Sequence, residues 1–439
     1  MKEHDLKISL RNIRAIEQAD IILDGITVLA GENGCGKSTI SKLAYYIFKT
    51  SIEFDAIVEG KLKEYLHEIT NTLITLFRDL HFTYNVINEN EFSELRKLIV
   101  DVNLDRLGIL IVVKTINDLV DTLVSYSGRE KVKNIPRIKY ILRDVLRSEA
   151  LEDKDTVKEL LEKLRKAVLE KRQNTENLKK SRPVTFLHEE LELAFYDNPL
   201  PPNNYVVKEY GEAIIEPDKK NISPFYSIRN TAYIDSPMML GVSEFTGRRK
   251  HWEYLNSVLS KHGTRINDKN IDKIFKEDIL NGEANLSEQT VLLSNMFIYK
   301  RKDGKEFNLL ECATGIKSFA VLQILFKNGF LTNKTLLIID EPEAHLHPQW
   351  VVEYARLIVL LHKHVGVRFL IASHHPDMVS AIKYISEKEQ VDDKLHYYLA
   401  EQTGEEFKYN YKELGTDIEA IFESFNIAFE RMDLYGNTE

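Results

Sequence analysis

The stretch from Ile26 to Thr39 reads ITVLAGENGCGKST and decides the fold class. Its first five residues are almost wholly apolar and predict a buried strand, and Ser38-Thr39 open a helix-period pattern. Between them, Gly31–Ser38 fits G-x-x-x-x-G-K-[ST] in the strand-then-helix context that this pattern requires. Its glycines let successive N–H groups turn toward phosphate oxygens, at the positive end of the following helix. We therefore predict an α/β protein with a phosphate-binding loop.

The residue types in this loop predict which groups would hold a nucleotide. Lys37 is expected to reach the β- and γ-phosphates, and the Ser38 hydroxyl is expected to meet Mg²⁺. Cys35 stands at a variable position of the pattern, and we interpret it as a small packing residue rather than a redox switch. The pattern predicts ATP and Mg²⁺ as cofactors, with the nucleotide bound by Gly31, Asn33, Gly34, Cys35, Gly36, Lys37, Ser38 and Thr39.

Two later strands are expected to end in polar groups that complete such a site. The apolar run Thr335–Ile339 leads directly into Asp340-Glu341, and a buried parallel strand delivers such carboxylates to the ligand crevice of its sheet. Asp340 can hold Mg²⁺, and Glu341 can polarise the attacking water. A further apolar strand ends before His374-His375, and spacing alone does not decide which histidine would meet a γ-phosphate.

In this order, the elements resemble the ABC-type ATPase heads of the SMC, RecF and OLD-like class. The resemblance covers about residues 1–45 and 285–439, and the matching segments are Gly31–Thr39, ATGIKS at 313–318, LLIIDEPEAHLHP at 336–348 and SHHP at 373–376. It implies that Glu341 is the hydrolytic base and Asp340 the magnesium-site acid. It also implies that His374 is the switch histidine, so that Glu341 and His374 are the catalytic residues, while Ser38 and Asp340 form the metal site.

The resemblance also implies how such heads assemble. Thr314-Gly315 looks like a shortened signature, which in this class reaches across a dimer interface to the γ-phosphate in the partner's loop. It departs from the usual form, with Thr314 in place of Ser and no second Gly. Tyr233–Pro237 lies where the class places its Gln-loop. We therefore expect a homo-oligomer with at least a dimer of heads.

The segment DEPEAHLHP at 340–348 is similar to the form in OLD-like ATPases of bacterial anti-phage systems, including those of the AriA and PtuA type. The resemblance implies a sensor or scaffold that controls a separate effector, such as a Toprim or HNH nuclease. No length remains for a Toprim domain after the switch histidine, so we expect that effector on another chain. Two alternatives stay open: a RecF-like clamp that closes on DNA in repair or recombination, and the motor subunit of a membrane transporter.

The composition of the chain limits which of these functions are possible. The 439 residues carry a net charge of −9, so no global basic field draws the chain to nucleic acid. DNA contact would depend on local clusters such as Arg248–Lys250 and Lys300–Lys302. Two cysteines cannot build a disulfide framework, and no apolar run reaches the roughly eighteen residues of a membrane helix. We expect a cytoplasmic protein that does not span a membrane.

Periodicity predicts the domain organisation. We expect the ATPase head to be split between residues 1–49 and 285–439, with a helical insertion at 50–200 and a mixed connecting region at 201–284. Within the insertion, Leu160, Leu161, Leu164 and Val168 recur at helical spacing. This pattern predicts an amphipathic helix from about Asp153 to Lys180, either one arm of a short coiled coil or a helix packed on its own domain.

Overall fold

The computed structural model describes residues 5–84, 155–195, 204–216, 218–236, 250–261, 268–286, 297–415 and 417–423, with single or paired positions at 113–146, 240 and 435. The chain divides into two compact units. The first joins residues 1–52 to residues 183–439, and the second spans residues 53–182. The helical insertion at 50–200 and the connecting region at 201–284 stay predictions.

The first unit is built on two sheets. The large sheet contains β1 (Leu6–Ile13), β2 (Ile16–Ile22), β3 (Ile26–Ala30), β4 (Tyr205–Glu209), β5 (Glu212–Ile215), β6 (Asn230–Ile234), β10 (Thr335–Asp340), β11 (Arg368–Ala372), β12 (Leu395–Gln402) and β13 (Tyr409–Glu413). A small antiparallel sheet contains β7 (Gly282–Leu286), β8 (Phe297–Arg301) and β9 (Glu306–Asn308).

The strand order of the large sheet is β5-β4-β1-β2-β13-β12-β3-β11-β10-β6. Its last five strands, from β12 to β6, run parallel, whereas β1 pairs antiparallel with β2 and β4. Asp340 pairs in register with Ala372, and Ala372 with Leu29, so β10, β11 and β3 end side by side. This mixed sheet confirms the predicted α/β class and brings three strand ends to one edge, where parallel sheets bind ligands.

Helices cover both faces of the parallel strands. Those of the first unit are α1 (Lys37–Ile52), α4 (Val184–Ala194), α5 (Lys250–Leu259), α6 (Lys269–Lys273), which continues as a π-helical turn over Ile274–Ile279, α7 (Thr314–Lys327), α8 (Pro348–Val365) and α9 (Pro376–Glu389). Short 3₁₀ turns span Leu309–Glu311 and Asp392–Lys394.

The packing of these helices follows the alternation of side chains along the strands. On one face, Val28, Ile339 and Ile371 share a buried cluster with α7, α8 and α9. On the other face, α1 packs on β6, β10 and β11. The phosphate-binding loop therefore leads into a helix that is held against the strands bearing the other predicted site residues.

The second unit contains α2 (Phe54–Tyr84) and α3 (Val157–Ser181), which pack against each other. Leu160, Leu161, Leu164 and Val168 of α3 are buried, as their helical spacing predicts. A capping box begins α3: the Thr156 hydroxyl accepts from the Glu159 N–H, and the Glu159 carboxylate accepts from the Thr156 N–H at 2.7 Å. Among the helices that the structure describes, none is both long and apolar enough to cross a membrane.

Candidate functional site

The glycines of Gly31–Ser38 adopt backbone conformations that side chains resist. Gly31, Gly34 and Gly36 have φ of +147°, +86° and +102°. A Cβ on Gly36 would also lie 2.9 Å from Ile16 Cγ1, and one on Gly31 would lie 2.8 Å from Ala400 Cβ. The loop is therefore tightly curved and pressed between β2 and β12.

Lys37, the first residue of α1, turns its side chain back into this loop. The residue is buried, and its ammonium donates to the carbonyl oxygens of Gly31 at 2.8 Å and Glu32 at 2.9 Å. Cys35 is also buried, with its sulfur 3.6 Å from the Tyr411 hydroxyl. The cation thus lies within the curve of the loop, and Cys35 packs beneath it.

The remaining predicted loop residues lie nearer the surface. Asn33, Gly34 and Ser38 are exposed, and Gly36 and Thr39 are half-buried. Ser38 lies close enough to Asp340 to lower the pKa of its carboxyl, which favours the charged form. The loop therefore meets the end of β10 at Ser38.

Asp340 is a buried carboxylate with one oxygen engaged. The Tyr233 hydroxyl, from the neighbouring strand β6, donates to Asp340 Oδ2 at 3.0 Å. Asp340 Oδ1 has no hydrogen-bond partner in the described part of the chain. Burial raises the pKa of Asp340, while Ser38 and the hydrogen bond from Tyr233 oppose that rise.

The pair formed by Asp340 and Ser38 fits Mg²⁺. A buried oxygen without a partner lies beside an exposed hydroxyl, and Mg²⁺ prefers such oxygen ligands. Mg²⁺ in nucleotide sites is usually held by one or two carboxylates plus substrate phosphates. A larger protein cluster is therefore not required, and among the described residues no group of three or more His, Cys, Asp or Glu could hold a metal ion.

Glu341 projects from a strained position directly after β10. Its φ is +50°, a left-handed conformation that costs a non-glycine residue about 1–2 kcal/mol. Its N–H donates to the Ala372 carbonyl at 2.8 Å, which helps to hold the backbone there. The Glu341 side chain is 45% exposed, so its carboxylate is open to water.

The structure separates the two adjacent histidines after β11. His375 begins α9, where its Nδ1 accepts from the Asp377 N–H at 3.3 Å. His374 Nδ1 instead lies 3.5 Å from Glu341 Oε1. His374 is thus the histidine placed beside the predicted base, a choice that spacing left open.

Two further residues lie at this site although neither was singled out as a catalytic, nucleotide-binding or metal-binding residue. Tyr233 enters from β6 through its contact with Asp340. Glu343 is buried, and its Oε1 accepts from the Ser373 hydroxyl at 2.9 Å and from the His374 N–H at 3.1 Å. A run of acids after an apolar strand could have drawn attention to Glu343, whereas Tyr233 reads as a core residue.

The predicted signature lies at the start of a helix. Thr314 is the first residue of α7 and is half-buried. A Cβ on Gly315 would lie 2.9 Å from the Trp350 ring at the start of α8. This segment is therefore packed against the start of α8.

A phosphate-binding loop beside an acidic strand end, on a mixed sheet with helices on both faces, defines a P-loop ATPase fold. The chain belongs to the AAA ATPase domain family, which matches residues 6–379. The predicted fold class, an α/β P-loop ATPase head, is thereby confirmed.

Among solved structures, the chain is similar to an SMC head domain with an extended coiled coil from Pyrococcus furiosus, bound to the C-terminal domain of ScpA. The two share 12% identity over 97% of this chain and 98% of that chain, with a TM-score of 0.34. For the SMC head domain from Thermotoga maritima the identity is 12%, the coverage 93% and 98%, and the TM-score 0.37. Curated proteins give no match. At these TM-scores the superposition is loose, so the fold class rests on the sheet and on the family.

Proposed function

We propose that this protein binds ATP with Mg²⁺ and hydrolyses it, as an ABC-type head of the SMC, RecF and OLD-like class. The observation that supports this best is the meeting of Lys37, Asp340, Glu341 and His374 at the ends of three adjacent parallel strands. Phosphoryl transfer to water uses a cation that binds the phosphates, a carboxylate that can hold a metal ion, a second carboxylate open to water and a histidine.

Each of these residues has a distinct task. Lys37 and the loop N–H groups bind the phosphates, and Glu341 takes the proton of the attacking water while His374 contacts the γ-phosphate. Mg²⁺ bound at Ser38 and Asp340 would neutralise charge on the phosphate oxygens. The exposure of Glu341 suits a base that must meet water.

Replacing the base tests this function directly. Glu341→Gln keeps the shape of the side chain but cannot accept the proton, so we expect phosphate release to fall about 10²- to 10⁴-fold while ATP affinity stays near wild type. Glu353→Gln, at an exposed α8 glutamate, is the matched control and should hydrolyse normally. Unchanged turnover in Glu341→Gln would show that another group acts as the base.

We further propose that two heads share each ATP, with Thr314-Gly315 of one contacting the γ-phosphate bound by the other. The position of Thr314 at the start of α7 supports this arrangement, because a helix N-terminus attracts phosphate.

The cellular role we propose is that of a sensor and scaffold in an anti-phage complex, with a nuclease or other effector on a separate chain. Its support is the resemblance of residues 340–348 to OLD-like defence ATPases. The test is mass spectrometry of what co-purifies with Glu341→Gln from its native host in ATP and Mg²⁺. A stoichiometric effector would support the scaffold, whereas recovery of the protein with DNA alone would favour a RecF-like clamp.

The surface charges that a DNA clamp would use are partly neutralised. In the cluster Lys300–Lys302, Lys300 pairs with Glu306 at 3.3 Å and Arg301 pairs with Asp303. In the second cluster, Arg248 and Arg249 lie outside the described residues. Cations that are already paired attract a phosphate backbone less strongly. The DNA clamp is therefore the second of the two candidate functions.

A further inference from the structure

Glu343 is a buried acid that the proposed hydrolysis does not use. Its side chain is only 3% exposed, two residues beyond the exposed Glu341. Its Oε1 accepts two hydrogen bonds from the segment after β11, one from the Ser373 hydroxyl and one from the His374 backbone. Its Oε2 has no hydrogen-bond partner within the described ranges. A carboxylate buried this deeply needs donors, because an unpaired buried charge is costly.

The imidazole of His374 lies beside this carboxylate, on the side of Oε1. Its Nδ1 lies 3.5 Å from Glu343 Oε1 and equally 3.5 Å from Glu341 Oε1. This Nδ1 is itself buried and, in the part of the chain that the structure describes, makes no hydrogen bond. Both neighbours are carboxylates, which only accept when ionised, so a proton on Nδ1 suits this environment and a lone pair there does not.

We propose that Glu343 is a positioning residue that holds His374 with its proton on Nδ1. The other ring nitrogen, Nε2, then carries the lone pair in the neutral ring. Because Glu343 also binds Ser373 and the His374 backbone, it fixes the position of the ring as well as its tautomer. A proton on Nδ1 that is directed to Glu343 would leave the carboxylate of Glu341 free for water.

This inference deepens the proposed ATPase function and rests on it only for its kinetic consequence. The tautomer can be measured without turnover, by the ¹⁵N chemical shifts of the ring nitrogens in histidine-labelled protein, with His374→Ala assigning the signals. We expect wild-type His374 to be the Nδ1–H form. A wild-type ring protonated on Nε2 alone would overturn the proposal, whether or not any variant folds.

The informative variant is Glu343→Gln. Its carbonyl oxygen can still accept from Ser373 and from the His374 N–H, so the local fold is kept while the negative charge is removed. We expect loss of the Nδ1–H preference and a fall in kcat of at least tenfold, with KM for ATP unchanged, since outer-shell partners of active groups commonly carry effects of this size. Ser373→Ala removes one donor to Glu343 and spares the ring contact, so it should keep the wild-type tautomer.

The outcomes separate the two proposals. If Glu343→Gln keeps both the wild-type tautomer and the wild-type kcat, Glu343 is merely structural and the inference fails. If the wild-type protein hydrolyses no ATP, the proposed function fails, while the tautomer measurement still decides the role of Glu343.

Discussion

At the scale of single residues, the proposed Mg²⁺ site requires Asp340 to be charged although it is buried. Burial raises the pKa of Asp340, and the carboxylate must be ionised to hold Mg²⁺. Burial also raises the pKa of Tyr233 far above its usual range, so its hydroxyl keeps its proton and donates. The hydrogen bond to Oδ2 therefore supports the ionised form, and Oδ1 has no partner among the residues that the structure describes.

We predict that Tyr233→Phe weakens Mg²⁺ binding about 10- to 100-fold, because the hydroxyl that orients and stabilises the Asp340 carboxylate is lost. The measurement is the Mg²⁺ concentration that gives half-maximal ATP hydrolysis. Tyr205→Phe is the matched control, since the Tyr205 hydroxyl is buried and has no hydrogen-bond partner among the described residues. An equal Mg²⁺ requirement in the two variants would mean that Tyr233 acts only in packing.

At the scale of elements, the phosphate-binding loop depends on its neighbours as much as on its own glycines. Gly36 packs against Ile16 at the start of β2, and Gly31 packs against Ala400 of β12. Both contacts come from strands that are separated from the loop in the sequence. The curvature that aims N–H groups at phosphate is thus maintained by the sheet around the loop.

We predict that Gly36→Ala lowers the free energy of unfolding by about 1–3 kcal/mol, because alanine at a φ of +102° is strained and its Cβ would lie 2.9 Å from Ile16. Gly404→Ala is the control: no atom lies within 4 Å of its added Cβ, and its change should stay within about 0.5 kcal/mol. Denaturant unfolding of both variants measures the difference. Equal stabilities would show that the loop can relax around the methyl group.

The elements that could be predicted from the sequence are those formed by consecutive residues. The loop at 31–38 and the strand leading into Asp340 are each read from consecutive residues, and the structure has them as predicted. Tyr233 is 107 residues from Asp340, so nothing local indicates that they meet. The place of β13 between β2 and β12 likewise depends on pairings between distant segments. Position in the sheet, more than residue type, brings Tyr233 and Glu343 into the site.

At the scale of the whole molecule, the proposed dimer of heads can be tested through the predicted signature. Gly315 is a poor place to test this arrangement, because any side chain there would strike Trp350 within the same chain. Thr314 is the better probe, since it is half-buried at the start of α7. A large cation at that position would obstruct a partner head while leaving the loop of its own chain untouched.

We predict that Thr314→Arg in the Glu341→Gln background binds ATP with unchanged affinity but no longer forms the ATP-dependent dimer. Size-exclusion chromatography with light scattering, in ATP and Mg²⁺, measures the mass, and titration with a fluorescent ATP analogue measures the affinity. Glu212→Arg places the same cation on β5, at the outer edge of the sheet, and should dimerise normally. A dimer that survives Thr314→Arg would exclude the signature from the interface. Loss of ATP binding would instead place Thr314 in the site of its own chain, since a residue needed only by the partner cannot affect the affinity of a monomer.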